Sequence, residues 1–302
     1  MNKLHIGWLV LLGLMAASCT EDITMDTPEG RKVPVVEGTL TNELKRHEVI
    51  LSYSSELYST EGFEMISGAK VYVSSDDDTI WYHEQENNPG HYFSDSVAGI
   101  KTCWYHLEVK VAENTLSQKP IRMYADTKMS NNAPGIDSVR LLPLRDEQGI
   151  PFVDESAAVC VCPYFQTLSD TSIVYNVELY LNGSLFKNRP SKLFNLFSMK
   201  GYAGYYFNGP EMLQDNMEVP VGVMNKSYLS EGDVVKVKLY SVSKDYMYFL
   251  MGLKLAIGVN PAMGAFPAMF SNIFSNCSAI GWFNATSVIE GEGVYHESIF
   301  QN

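Results

Sequence analysis

The chain is short of positive charge. Against 35 Asp and Glu stand 22 Lys and Arg, for a formal net charge of −13. No block of basic residues offsets this. Binding to a phosphate backbone needs clustered Lys and Arg, so nucleic acid is excluded as a natural partner. Attraction to anionic lipid headgroups is excluded on the same ground. Long apolar runs are also missing: none reaches the roughly 20 residues that a spanning helix requires. There is no GxSxG elbow, P-loop, GxGxxG or HExxH. The six histidines never stand at metal-ligand spacing from one another. In "HEQE", His83 to Glu86, only His83 and Gln85 would share a strand face, so it is no ready-made acid–base pair. Carboxylates scattered in sequence could still converge as a glycosidase pair. No repeat with a period of 20–50 residues is present. The reading is therefore of a non-enzymatic protein without cofactor or metal.

Cysteine is scarce too, with five in 302 residues. Cys160 and Cys162, in "AAVCVCPYF", lie on one face of an expected strand. A metal site would need two further ligands nearby. Buried thiols, or a disulfide from one of them to a distant Cys103 or Cys277, are the other readings.

What is present begins at the N-terminus. Lys3 supplies a positive start, Ile6 to Met15 an apolar run about half a membrane-spanning length, and Ala16, Ala17 and Ser18 precede Cys19. This layout resembles a lipobox, with Ala16 where Leu is commonest. The Cys19 thiol would take a diacylglyceryl group, and cleavage would free its amine for another chain. The alternative is an ordinary signal peptide in which Cys19 has no such role. Loss of residues 1–18 would leave 284 residues and, with Lys3 gone, take the charge from −13 to −14. That length suits two domains, and 46% apolar residues give ample material for cores. The polar stretch at 19–32 reads as an acidic tether.

From Val33 the chain runs in short apolar or alternating segments parted by turn residues. In "WYHLEVKVA", Tyr105, Leu107, Val109 and Val111 alternate with polar residues, as on a half-buried strand. The spacing predicts a β-sandwich over 33–125, with Trp81 and Trp104 in its core. "SSDDDT" at 74–79 reads as a hairpin turn. Residues 126–136, rich in Asn, Pro and Gly, read as a linker. A larger β-rich domain is expected over 137–302. Within it Asn182-Gly183 signals a type I′ hairpin, and "DVVKVKLYSVS" alternates as a strand. "KDYMYFLMGLKLAIG", 244–258, predicts a buried helix capped by Asp245 and ended by Gly258.

"KGYAGYYFNGPE" carries Tyr202, Tyr205, Tyr206 and Phe207 on a glycine-rich loop. Such rings either pack back on the sandwich or offer a contact surface to a sugar face or a peptide. These four are the candidate ligand contacts.

Several stretches together resemble the bacterial lipoprotein family catalogued as domain of unknown function 4249. They are the acidic residues after Cys19, "VPVVEGTLTN", "ISGAKVYVSSDDD", "GHYFSDSVAGIKTCWYHLEVKV", "SKDYMYFLMGL" and "FPAMFSNIFSNCSAIGWFNATS", in that order. The resemblance implies an outer-membrane lipoprotein with an immunoglobulin- or prealbumin-like first domain and a β-rich second. It implies an accessory role beside a TonB-dependent receptor, with a structural or adhesive surface protein as the alternative. It brings no catalytic residues. Glu21 and Asp22, just after Cys19, resemble a signal that sends lipoproteins to the cell surface.

Overall fold

A computed structural model describes residues 32–55, 62–76, 78–112, 119–145, 150–152, 157–170, 172–186, 196–201, 203–208, 222–258 and 270–301. The expected signal at 1–18 and all of the expected tether but Lys32 lie outside them. The described chain is mainly β, with one α-helix.

Seven strands come first: β1 (Pro34–Thr41), β2 (Lys45–Tyr53), β3 (Lys70–Ser74), β4 (Thr79–Gln85), β5 (Asn88–Val97), β6 (Trp104–Val111) and β7 (Ile121–Lys128). Strict alternation decides their inward face. Tyr105, Leu107, Val109 and Val111 of β6 are all buried, as their period of two requires. Ser74 pairs with Thr79, so β3 and β4 form a hairpin as expected. Trp81 and Trp104, expected in this core, are instead about half exposed, at 52% and 49%. They fall on the outward parity, one position before the buried Tyr82 and Tyr105.

Next come β8 (Ser138–Pro143), β9 (Ala158–Gln166), β10 (Val174–Leu181), β11 (Ser184–Leu185), β12 (Leu196–Ser198), β13 (Tyr206–Asn208), β14 (Gly222–Asn225) and β15 (Val234–Val242). The hairpin at Asn182-Gly183 has positive φ at both residues, 49° and 82°, as a type I′ turn demands. Cys160 and Cys162 are buried together in a small cluster with Tyr164, the buried-thiol reading. Cys103 and Cys277 are half-buried against the first core.

The helix α1 (Lys244–Gly258) has the expected bounds. Its cap differs: Tyr246 N donates to Ser243 Oγ at 3.1 Å, so Ser243 rather than Asp245 occupies the capping role. Nor is α1 fully buried. Leu250 is covered, whereas Tyr248 and Met251 are more than 40% exposed. Tyr246 and Phe249 pack on the Trp282 ring, and the opposite side of the helix carries Tyr248 and Met251.

Two last strands, β16 (Phe274–Ser275) and β17 (Ile280–Val294), complete the fold. β17 joins its two parts. Its first half pairs in parallel with β1, Val35 to Thr41 opposite Ile280 to Thr286. Its second half pairs antiparallel with β15. One sheet therefore runs β11-β10-β15-β17-β1-β2-β5-β4-β3-β6-β7-β16, with β12 on β10. A second sheet, β13-β9-β14 with β8 on β9, covers the β10/β15 end. Phe283 and Ala285 enter the core of the first seven strands, and Ile289 enters the other core. Residues from 270 on, expected wholly in the second domain, thus also build the first core.

At the change of partner, Asn42 stands in for backbone. Its amide donates to Val288 O at 3.2 Å and accepts from Val288 N at 2.6 Å. The expected linker at 126–136 is pinned here as well. Its first residues finish β7, and Asn132 is buried, donating to Ser287 O at 2.9 Å and Leu239 O at 3.3 Å. Asn132 thereby ties this segment to the carbonyls of β15 and β17.

Candidate functional site

Because side chains alternate along a strand, β17 has two faces. Phe283, Ala285 and Ile289 point to the cores. Trp282, Asn284 and Thr286 point the other way. Glu37 and Thr39 stand opposite Trp282 and Asn284 on β1, on the same outward face. That face forms the floor of a cleft of about 520 Å³ between the β1-β2-β5 and β10-β15 parts of the sheet. Glu48, Ile50 and Phe93 form one wall, and Asn176, Glu178 and Tyr240 the other. Tyr246, from the first turn of α1, stands at one end. It is held there by Trp282, whose ring lies 5.6 Å from that of Tyr246 and 5.0 Å from that of Phe249.

Most charges around the cleft are fixed by partners. Glu43, in the β1–β2 turn, takes Lys238 at 2.5 Å and Lys45 at 2.6 Å. Lys238 also reaches Glu290 at 3.3 Å. Burial alone would raise the Glu43 pKa, but the hydrogen bonds and charges of Lys238 and Lys45 outweigh it and hold it at about 2. Glu48 meets His91 Nδ1 at 2.6 Å. Arg46 donates to Ser94 O and lies over the Phe93 ring. His47 is buried; its Nε2 donates to Val97 O at 2.9 Å, which leaves Nδ1 to accept from Thr41 N. Burial lowers its pKa and keeps it neutral. Tyr180 donates to Glu178 at 2.7 Å. Burial, then the Glu178 charge, pushes the Tyr240 hydroxyl far up, and burial with Glu178 and Glu37 takes Tyr246 up to about 12.

Three polar groups on this face have no protein partner among the described residues: the exposed Glu37 and the buried Trp282 Nε1 and Asn284 Nδ2. Asn284 is only 2% exposed. A buried amide donor left open costs about 1–3 kcal/mol, so such groups usually face something that completes them.

The Glu43 pair gives a pH prediction. Its folded pKa lies below its ordinary value of 4.5, so its contribution is present above pH 4.5 and is lost as pH falls toward 2. At about 1.4 kcal/mol per unit this amounts to about 3 kcal/mol. Glu43→Gln should destabilise the protein by about 2 kcal/mol at pH 7, by leaving Lys238 without its main partner, and should flatten the acid limb. Urea denaturation at pH 7 and pH 3 checks both. Equal pH dependence in the two proteins would contradict the assignment.

The residues singled out in the sequence are not gathered here. Cys19, Glu21, Asp22 and Tyr202 lie outside the described residues. Tyr205 is exposed, and Tyr206, half exposed, donates to Asp137 Oδ2 at 2.8 Å. Phe207 is not a ligand contact: it is buried against Phe165 and Phe197 in the second core. Alternation along β13 sends Phe207 inward and Tyr206 outward. The cleft itself was not read from sequence. Its signal is the polar half of "VVEGTLT" and "GWFNATS", where Glu37, Thr39, Asn284 and Thr286 recur at every second position of otherwise apolar strands.

A family model described as Domain of unknown function (DUF4249) matches residues 20–291. The chain belongs to this family. The DUF4249 match thus takes in both halves of the sheet and most of the shared strand β17. Among curated proteins no relative matches. Similar solved structures include "Crystal Structure of Rst D1-D2", at 8% identity and TM-score 0.20, covering 83% of this chain and 99% of that one. Another is a Salmonella alpha-2-macroglobulin mutant, at 11% identity and TM-score 0.22, covering 88% of this chain and 15% of that one. No helix among the described residues is long and apolar enough to cross a membrane.

Proposed function

We propose that this protein is a lipoprotein held on the outer membrane by acyl chains on Cys19. There it acts as a non-enzymatic binding and accessory module for a TonB-dependent receptor in nutrient import. Glu21 and Asp22 would direct it to the cell surface, and without that signal it would face the periplasm. The anchor rests on the signal layout, and the accessory role on the family resemblance.

The cleft supplies a place to bind. The single observation that favours binding over catalysis is the direction of the pKa shifts around it. A general acid or base works best near the operating pH. Of the groups that line the cleft, His47 is lowered, Tyr240 is raised and Tyr246 is at about 12; beside the cleft Glu43 is held at about 2, and Lys238, despite burial, is raised by Glu43 and Glu290. These groups are driven away from neutrality and serve as fixed charges and donors.

Deletion of the gene tests the role. Uptake of the imported nutrient should fall at least tenfold at limiting concentration and return with the wild-type gene. Unchanged uptake with altered cell contact would favour the structural or adhesive alternative, to which sheets in series are also suited.

A further inference from the structure

We infer that the cleft takes a short, uncharged oligosaccharide, with Glu37 and Asn284 as its principal polar contacts. This deepens the binding reading above and rests on it. Four observations point the same way. First, the strands beneath the cleft, β10-β15-β17-β1-β2-β5, are each paired within the sheet, and the cleft opens on its face. No strand edge is offered there, so an extended peptide cannot be added as a strand. Recognition falls to side chains alone.

Second, those side chains both donate and accept. The Asn284 Nδ2 has no acceptor and the Glu37 carboxylate has no donor, with Thr39 beside them on the floor and Asn176 on one wall. An ammonium ligand would leave the Asn284 donor open, and a carboxylate or phosphate would be repelled by Glu37. Hydroxyl groups answer both, because each is donor and acceptor at once. Third, of the cations that line the cleft Lys45 is paired with Glu43, and Arg46 is turned onto Ser94 O and the Phe93 ring while keeping its charge. The three carboxylates Glu37, Glu48 and Glu178 outnumber the one cation that lacks a carboxylate partner, Arg46, so the lining as a whole disfavours an anion. Fourth, Phe93, Tyr240 and Tyr246 add ring surface for the apolar C–H faces of a sugar. A volume of about 520 Å³ suits a small ligand, not a macromolecule.

Isothermal titration calorimetry on the detergent-solubilised full-length protein provides the test. The probes are maltotetraose, cellotetraose, xylotetraose, mannotetraose and chitotetraose, with chitosan tetramer as the amine and tetraalanine as the peptide. At least one neutral tetrasaccharide should saturate a single site. Glu37→Ala, on an exposed side chain, should weaken it about tenfold, and Asn284→Ala by about as much, each removing one hydrogen bond to the sugar. Tyr205→Ala, on the glycine-rich loop, should change nothing. The inference is overturned if no neutral sugar binds, if the amine or peptide binds in its place, or if Glu37→Ala binds as wild type does. A loss on Tyr205→Ala instead would move the site to the loop. Failure here with intact receptor association would sink the ligand class and leave the accessory role standing; sugar binding without a receptor would do the reverse.

Discussion

Gly281→Ala should lower the melting temperature by about 10 °C, the largest stability effect expected of one methyl group in this protein. Gly281 opens β17 with φ of +123°, a region that L side chains rarely adopt. A Cβ there would lie 2.0 Å from Val36 O and 2.7 Å from Val36 N. Both are backbone atoms of the neighbouring strand, in register with Gly281 itself. No side chain can rotate away to make room. Backbone strain costs about 1–3 kcal/mol, and overpacking about as much again. Relief would require β17 to leave β1, which would carry Phe283 out of the first core and Asn284 off the cleft floor. Gly252→Ala is the matched control, because nothing lies within 4 Å of its added Cβ in α1. There the helix should be unchanged or gain up to about 1 kcal/mol. Thermal melts followed by circular dichroism compare the two. Equal melts would mean that β17 does not hold β1 as described.

Cys19→Ala should move the protein from the membrane fraction to the soluble fraction and abolish labelling by palmitate. Each buried CH₂ contributes about 0.8 kcal/mol, so two or more acyl chains anchor stably where one does not. A net charge of −13 gives no electrostatic attraction to anionic headgroups. Wild-type amounts of Cys19→Ala in the membrane fraction would contradict lipid anchoring. Unlabelled wild-type protein would favour the ordinary signal peptide.

The fold was legible wherever periodicity was strict. β6 and β15 follow from alternation alone, α1 from its composition and Gly258, and the β10–β11 hairpin from Asn182-Gly183. Misreadings came where a residue's parity mattered more than its type. The size and apolarity of Trp81 and Trp104 point them inside, yet each sits one step out of phase with a buried Tyr. Phe207 was grouped with Tyr205 and Tyr206 by proximity, and strand alternation separates it from them. The cleft was illegible for a different reason. Its floor joins residues about 245 positions apart, through a parallel pairing of β1 with β17 that no local pattern announces. The double pairing of β17 is equally silent: a 15-residue strand looks the same in sequence whether it serves one partner or two.

The most direct test of the accessory role is extraction of the native membrane in mild detergent, followed by purification through a C-terminal tag on this protein. A large β-barrel receptor of the TonB-dependent class should co-purify in near-equal amount and survive a second, size-based step. Repeated recovery of the protein as a lone monomer, with Cys19 acylated and the fold intact, would contradict the account.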